Sequence, residues 1–467
     1  MNQPNKYGRK ESRRNFLKNL SLGVGASTVL ATQSKLQLIQ SAVAQSSSYT
    51  GLNDHKSLVC VFLNGGNDAF NMFVPYEENA YNAYKKSRSK MALSRESLLP
   101  LSGNNQAFHA SMPDLQSLYN TKKLGVVANV GALIKPTTRT AYQNETAHLP
   151  ADLFSHSHQQ EFWQTGTTAK SSVHPPGWGG RMMDMLSAAN THPNNPSLFS
   201  LANNSVWSHG LKPLDFVLNQ YSGVDEIHAF KSDDWPRWQN SRIDAWQKII
   251  KTSHPSLLNQ EMAKAYVNAD ERIGVLVEKL AQAQEITTVY PKENNLADGL
   301  KIVSKMISIR EKLGMKRQIF FLTMGGWDSH GNQLNDHSVQ LKKLNDALVS
   351  FYKTTEELGV ADSVTTFTAS EFGRSYSTNG DGTDHGWAGH NLVMGGAVKG
   401  GEIYGDLPDF ELNGKDDAED TGRFIPKYGV DQYGATLAQW MGMSAGDVDE
   451  IFPNLKNFDA KELGFLI

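Results

Sequence analysis

Residues 57–68 read Ser57-Leu58-Val59-Cys60-Val61-Phe62-Leu63-Asn64-Gly65-Gly66-Asn67-Asp68. An uninterrupted apolar run that breaks at a glycine pair is the pattern of a strand buried on both faces, with a loop at its carboxyl end. The same pattern recurs downstream. The run 124–130 ends near Gly131, and 319–324 ends in Gly325-Gly326. Residues 363–369 are rich in Thr and Val and end in Ser370-Glu371. Leu392-Val393-Met394 before Gly395-Gly396 is a short fifth strand. Amphipathic helical periodicity lies between these runs, at 113–122, 233–252, 258–284, 295–313 and 333–358. Alternating apolar strands and helices predict an α/β fold, a doubly wound and mainly parallel sheet flanked by helices. The segment 212–300 reads as a helical insertion between the second and third strands. Residues 409–424 form an acidic loop, and no repeat or low-complexity tract is visible.

The chain has 467 residues, 45 Lys+Arg against 48 Asp+Glu, and a net charge of −3. That balance excludes a basic nucleic-acid binder, and the apolar content excludes a disordered chain. The average hides a basic start. Residues 1–44 hold seven Lys+Arg and one acid, and Ser12-Arg13-Arg14-Asn15-Phe16-Leu17-Lys18 resembles a twin-arginine export signal. An apolar stretch at 20–31, too short to span a bilayer, and a small-x-small site at Ala42-Val43-Ala44 follow in the expected order. Removing residues 1–44 takes the counts from 45 and 48 to 38 and 47, so the remaining 423 residues carry −9. No later apolar run is long enough to cross a membrane. The expectation is a periplasmic or secreted protein whose first partner is the twin-arginine export machinery, with no stable membrane span after cleavage. The lone Cys60 allows no internal disulfide and reads as a core residue.

Parallel sheets gather functional groups at the carboxyl ends of their strands. Here those ends carry Asn64 and Asp68, then Trp327-Asp328-Ser329-His330, then Ser370-Glu371-Phe372-Gly373-Arg374, followed by Asp384-His385 and His390. Asp, Glu and His together suit a divalent metal. A pair of metals can clamp an ester oxygen and activate a nucleophile, and Arg374 can fork onto a phosphate or sulfate. Ser155, in Ser155-His156-Ser157-His158, opens a helix over 157–165 and is the candidate nucleophile. Structural alternatives stand beside each reading. Asp68, Asp328 and His330 can cap turns or helices, Ser155 can be an N-cap, and Glu371 with Arg374 can form a buried ion pair. His156 and His158 alternate and can be ligands, although exposed loop histidines are ordinary.

These residues together resemble a bacterial export family labelled domain of unknown function 1501. The resemblance rests on the twin-arginine segment, residues 58–68 with Val74-Pro75-Tyr76, Gly325-Gly326-Trp327-Asp328-Ser329-His330, and Ser370-Glu371-Phe372-Gly373-Arg374. It continues through Gly382-Thr383-Asp384-His385-Gly386 and Met394-Gly395-Gly396-Ala397-Val398-Lys399-Gly400-Gly401. That family is more distantly similar to the alkaline phosphatase and sulfatase superfamily. The resemblance implies a metal centre at the strand ends and hydrolysis of phosphate or sulfate esters. On that pattern Asp68 matches the first-strand metal ligand and Ser155 lies in the nucleophile region. Asp328 with His330 resembles an Asp-x-x-x-His pair, although it is spaced Asp-x-His. Asp384 with His385 resembles the later Asp-His pair, and His390 the last His. The chain departs from the superfamily at Glu371-Phe372-Gly373-Arg374, where Asp-His or Asp-Asn is usual. It also has no Cys-x-Pro-x-Arg sulfatase signature.

The reading is therefore an exported metal-dependent hydrolase of phosphate or sulfate esters. It holds one or two divalent ions (Zn, Mn, Mg or Ca) through Asp68, Asp328, His330, Glu371, Asp384, His385 and His390. Ser155 attacks and Arg374 holds the ester oxygens. The alternative is a non-catalytic periplasmic binding or assembly protein that retains the fold. A redox enzyme is disfavoured, because no Gly-x-Gly-x-x-Gly follows the first strand and one cysteine cannot hold an iron–sulfur cluster.

Overall fold

The run at 57–63 forms the middle strand of the main sheet. The computed structural model describes residues 49–467 apart from 168–174, 193–194, 204, 212–214, 226–236 and 253–255. The export motif at 12–18 and the cleavage site at 42–44 lie outside the described residues. In chain order the strands are β1 (Lys56–Leu63), β2 (Phe73–Pro75), β3 (Leu99–Pro100), β4 (Gln106–Phe108), β5 (Leu124–Gly131) and β6 (Leu198–Ser200). They continue with β7 (Phe216–Val217), β8 (Arg317–Met324), β9 (Val364–Ala369), β10 (Gly389–Met394), β11 (Ile403–Tyr404) and β12 (Tyr428–Gly429). Among the described residues the main sheet has the order β11-β5-β10-β9-β1-β8-β6-β7, with β12 also paired to β5. The strands β2, β4 and β3 make a small antiparallel sheet beside it.

β1 pairs in parallel with β8 and β9, so Cys60 lies opposite Phe321 on one side and Phe367 on the other. β10 is the reversed strand: it runs antiparallel to both β5 and β9. The apolar run at 392–394 revealed the strand but not its direction, because direction is set by the connection and not by composition. The expected doubly wound, mainly parallel α/β sheet is the fold found.

Alternation along β1 divides the core. Val59, Val61 and Leu63 pack with Phe320, Leu322 and the helices Pro113–Asn120, Asn295–Ser308 and Gln333–Glu357. Leu58, Cys60 and Phe62 face Ile319, Phe321, Phe367 and the helices His156–Thr165, Trp178–Leu186 and Val430–Trp440. Residues 58–63 are each at most 3% exposed. Burying each large apolar side chain contributes roughly 1.5–3 kcal/mol. A one-residue register slip would exchange the two faces, so the pairing is strongly specified.

Helix bounds follow local chemistry. Pro113 sits at the first turn of its helix. The helix His156–Thr165 stops at Gly166 in the left-handed conformation. Trp178–Leu186 and Val430–Trp440 are buried on almost every side. Between β7 and Asn295 the chain forms the helices Arg237–Lys251 and Leu257–Leu280, which pack against each other. No helix among the described residues is long and apolar enough to cross a membrane.

Candidate metal centre

The loops leaving β1, β8 and β9 meet at the carboxyl edge of the sheet. Gly65 makes the approach possible. Its φ is +127°, and a Cβ there would lie 2.5 Å from the backbone nitrogen of Asp328. The helix His156–Thr165 points its first turn at the same place. The chain returns there once more, because Arg374 and His385 form a β-bridge that closes the loop between them. This bridge brings Asp384-His385 back to the end of β9 despite the long spacing in sequence.

Asp328 lies at the centre. His156 Nε2 is 3.5 Å from its Oδ2, and His385 Nε2 is 3.2 Å from its Oδ1. One donor atom from each of His156, Asp328 and His385 falls within 4.8 Å of the others. His330 Nε2 lies 3.0 Å from Asp328 Oδ1 and 3.1 Å from His385 Nε2. For metal–ligand bonds of about 2.0–2.1 Å, the edge of a tetrahedron is about 3.3–3.4 Å, close to the 3.5 and 3.2 Å that separate the two imidazoles from the two oxygens of Asp328. The orientation of the rings suits an ion as well. His385 Nδ1 bonds the carbonyl of Phe154 at 2.8 Å, and His156 Nδ1 bonds Glu371 Oε1 at 2.8 Å. Both contacts turn the Nε2 edge of the ring toward Asp328, the way metal-bound histidines are usually oriented.

Glu371 is buried one layer beneath. Its Oε1 also accepts from the backbone of Gly65 at 2.8 Å and from Gln160 Nε2 at 3.0 Å. It therefore supports His156, and its Oε1 is taken up by protein donors. Arg374 is fully buried. It donates to Asp328 Oδ1 at 2.7 Å, to the Gly65 carbonyl at 3.4 Å, to Thr383 Oγ1 at 3.3 Å and to the Thr383 carbonyl. With its fork turned to protein acceptors, it grips Asp328 and presents no free face to an ester. Asp384 stands at the rim, 3.6 Å from His330 Nδ1.

Two expected residues, Asp68 and His390, are packed away from the triad, and Ser155 directly precedes His156. Asp68 is 1% exposed and ion-paired with Arg88, and the same oxygen accepts from Gln333. It is a partner in a buried pair and makes no contact with the triad. His390 is buried between Phe70 and Phe73, and its Nδ1 accepts from the backbone of Asn129 at 3.0 Å. Ser155 caps the helix that carries His156, but its Oγ is 3.1 Å from His158 Nδ1 and 3.2 Å from Ser157 Oγ. His158 Nδ1 is also the atom facing Asp152, at 3.3 Å, so no relay runs through the ring. Of the two loop histidines that can be ligands, His156 is the one at the cluster. Its signal is the four-residue spacing to Gln160, which puts both on one helix face toward Glu371.

The titrations follow from this packing. The hydrogen bond to Glu371 raises the His156 pKa, outweighing burial. Burial lowers that of His385, assisted by Arg374 and His156. Burial pushes Asp328 up, but Arg374, His330 and His156 together hold it below the ordinary carboxylate value. Asp328 is thus anionic and His385 neutral at pH 7, the protonation states that metal ligands need, whereas His156 is shifted toward its cation and must release a proton to bind an ion.

Residues 55–422 match the model of a family described as protein of unknown function, DUF1501. This chain belongs to the DUF1501 family. No curated protein matches this DUF1501 chain by sequence. Among solved structures it is similar to a lipoteichoic acid synthase from Listeria monocytogenes, with 8% identity and a TM-score of 0.37 over 88% of this chain and 77% of that one. It is also similar to a sulfatase from Pseudoalteromonas sp., with 10% identity and a TM-score of 0.33 over 89% and 72%. A third is the alkaline phosphatase PafA, with 11% identity and a TM-score of 0.27 over 70% and 64%.

Proposed function

We propose that this DUF1501 protein is an exported, metal-dependent hydrolase of phosphate or sulfate esters. The observation that supports the reading is the convergence of His156, Asp328 and His385 within 4.8 Å at the carboxyl edge of the sheet. The ester class rests on the motif resemblance, and export on the twin-arginine segment. Bound there, a divalent ion supplies a Lewis acid and an activated water. The chain's own residues do the rest. Glu371 and the Phe154 carbonyl fix the two imidazoles, and Arg374 holds Asp328 Oδ1 so that Oδ2 faces His156. His330, partly exposed with Nε2 at the cluster, is placed to carry a proton to or from a substrate oxygen. With an ion held by the triad, water would be the attacking group; the Ser155 hydroxyl, 3.1 Å from His158 Nδ1, is the competing nucleophile.

The test is hydrolysis of a phosphate- and sulfate-ester panel by zinc- or manganese-loaded protein. Activity lost in His385→Ala and kept in Ser155→Ala supports the reading. Activity lost in a folded, metal-loaded Ser155→Ala restores the serine as nucleophile. A metal-loaded protein that cleaves no ester supports the binding-protein alternative.

A further inference from the structure

Buried polar residues that the proposed chemistry does not use connect to the site through a chain of hydrogen bonds. It begins at Arg374, which donates from Nε to the hydroxyl of Thr383 at 3.3 Å. Thr383 Oγ1 in turn donates to Gln333 Oε1 at 2.6 Å. Gln333 Nε2 donates to Asp68 Oδ2, and Arg88 anchors that same oxygen. Arg374, Thr383, Gln333, Asp68 and Arg88 are each at most 1% exposed. They come from four separate parts of the chain.

The direction of the chain matters. Each group donates toward Asp68, so a cation at one end and an anion at the other polarise the hydroxyl and the amide between them in the same sense. In a low-dielectric interior such aligned bonds reinforce one another. The far end is rigidly seated, since Arg88 also donates to Asn71 Oδ1 at 3.2 Å and to the carbonyls of Ser375 and Tyr376 at 3.1 and 3.2 Å.

We propose that Asp68, Gln333 and Thr383 form a positioning strut that fixes the Arg374 guanidinium against Asp328 and thereby sets the affinity of the metal centre. The inference rests on the metal reading above. It gives Asp68 a role in the site without making it a ligand. The strut acts through Arg374, so its members are positioning residues. Removing the Thr383 hydroxyl strands Arg374 Nε and Gln333 Oε1 in a dry interior and frees the guanidinium to shift.

The experiment compares the wild type with Thr383→Val, Thr383→Ser and Gln333→Leu. Zinc affinity is read by competition with a chromophoric chelator. Hydrogen exchange of the loop 325–330 is read in metal-free protein, and folding is checked by circular dichroism. Removal of such outer-shell support weakens metal binding by about 10–100-fold. That loss is expected in Thr383→Val and Gln333→Leu, with faster exchange of the loop. Thr383→Ser keeps the hydroxyl and is expected within about threefold of wild type. Folded Thr383→Val that binds zinc like wild type overturns the strut. So does a Thr383→Ser variant as weak as Thr383→Val. If the wild type itself binds no metal, the metal reading fails, and the strut is judged by the metal-free exchange alone: unchanged exchange in Thr383→Val overturns it.

Discussion

Replacing Asp68 by Asn separates the structural role found for this residue from the ligand role expected of it. In the native protein Arg88 is fully buried and its counter-charge is Asp68. In Asp68→Asn the guanidinium keeps its bonds to Asn71, Ser375 and Tyr376 but loses the anion. Removing one partner of a buried pair costs about 3–5 kcal/mol. Against a total stability of about 5–15 kcal/mol, that is a large fraction. The assay is urea unfolding at pH 7 followed by circular dichroism, with zinc stoichiometry measured at saturation on the same samples. The expected result is a sharply lower unfolding midpoint with unchanged stoichiometry, because His156, Asp328 and His385 are intact. The double variant Asp68→Asn/Arg88→Met should recover part of the lost stability, since neither charge is then stranded. A stability loss under about 1 kcal/mol, or stoichiometry that falls while stability holds, refutes the reasoning and returns Asp68 to the ligand set.

Three further outcomes follow. Burial lowers His55, His109 and His390 to about 4 and His337 to about 3. These histidines are neutral when folded and take up protons on unfolding, so stability is full above pH 6.5 and falls as pH drops toward 4. Each contributes up to about 1.4 kcal/mol per pH unit, and urea midpoints that stay level from pH 7 to 5 would contradict this. Gly65→Ala should weaken zinc binding at least tenfold, because its Cβ meets the Asp328 backbone at 2.5 Å. Gly103→Ala, at φ +84° in open space, is the control and should bind zinc normally. Cys60 is buried and its thiol pKa is pushed well up by burial. It should therefore ignore Ellman's reagent in native protein and react only in denaturant, and native labelling would show that β1 is not packed as described.

Much of the fold was legible because its strands are buried on both faces. Continuous apolar runs such as 58–63 and 319–324 cannot be mistaken for surface, and each ends at a glycine turn. The reversal of β10 was not legible, since Leu392-Val393-Met394 reads alike in either direction. Two buried helices are hard to read from sequence for another reason: Gly179-Gly180 opens Trp178–Leu186, and Asp431, Gln432 and Thr436 interrupt the apolar run of Val430–Trp440 although the fold buries them. At the site, Asp328, His330 and His385 were visible as acids and imidazoles at strand ends. His156 could not be told from His158 by sequence, because its partner Glu371 is distant in the chain. Asp68 was ambiguous because a carboxylate after Gly65-Gly66-Asn67 looks the same whether it meets a metal or Arg88. Only the three-dimensional neighbourhood distinguishes a ligand from a buried ion pair.

The central claim is that His156, Asp328 and His385 bind a divalent ion. Elemental analysis of the purified protein after zinc loading and exhaustive dialysis tests it most directly. Retention of at least one equivalent per chain is expected, with loss in folded Asp328→Ala and His385→Ala. A wild-type protein that retains no stoichiometric metal, or variants that retain as much as wild type, would contradict the account.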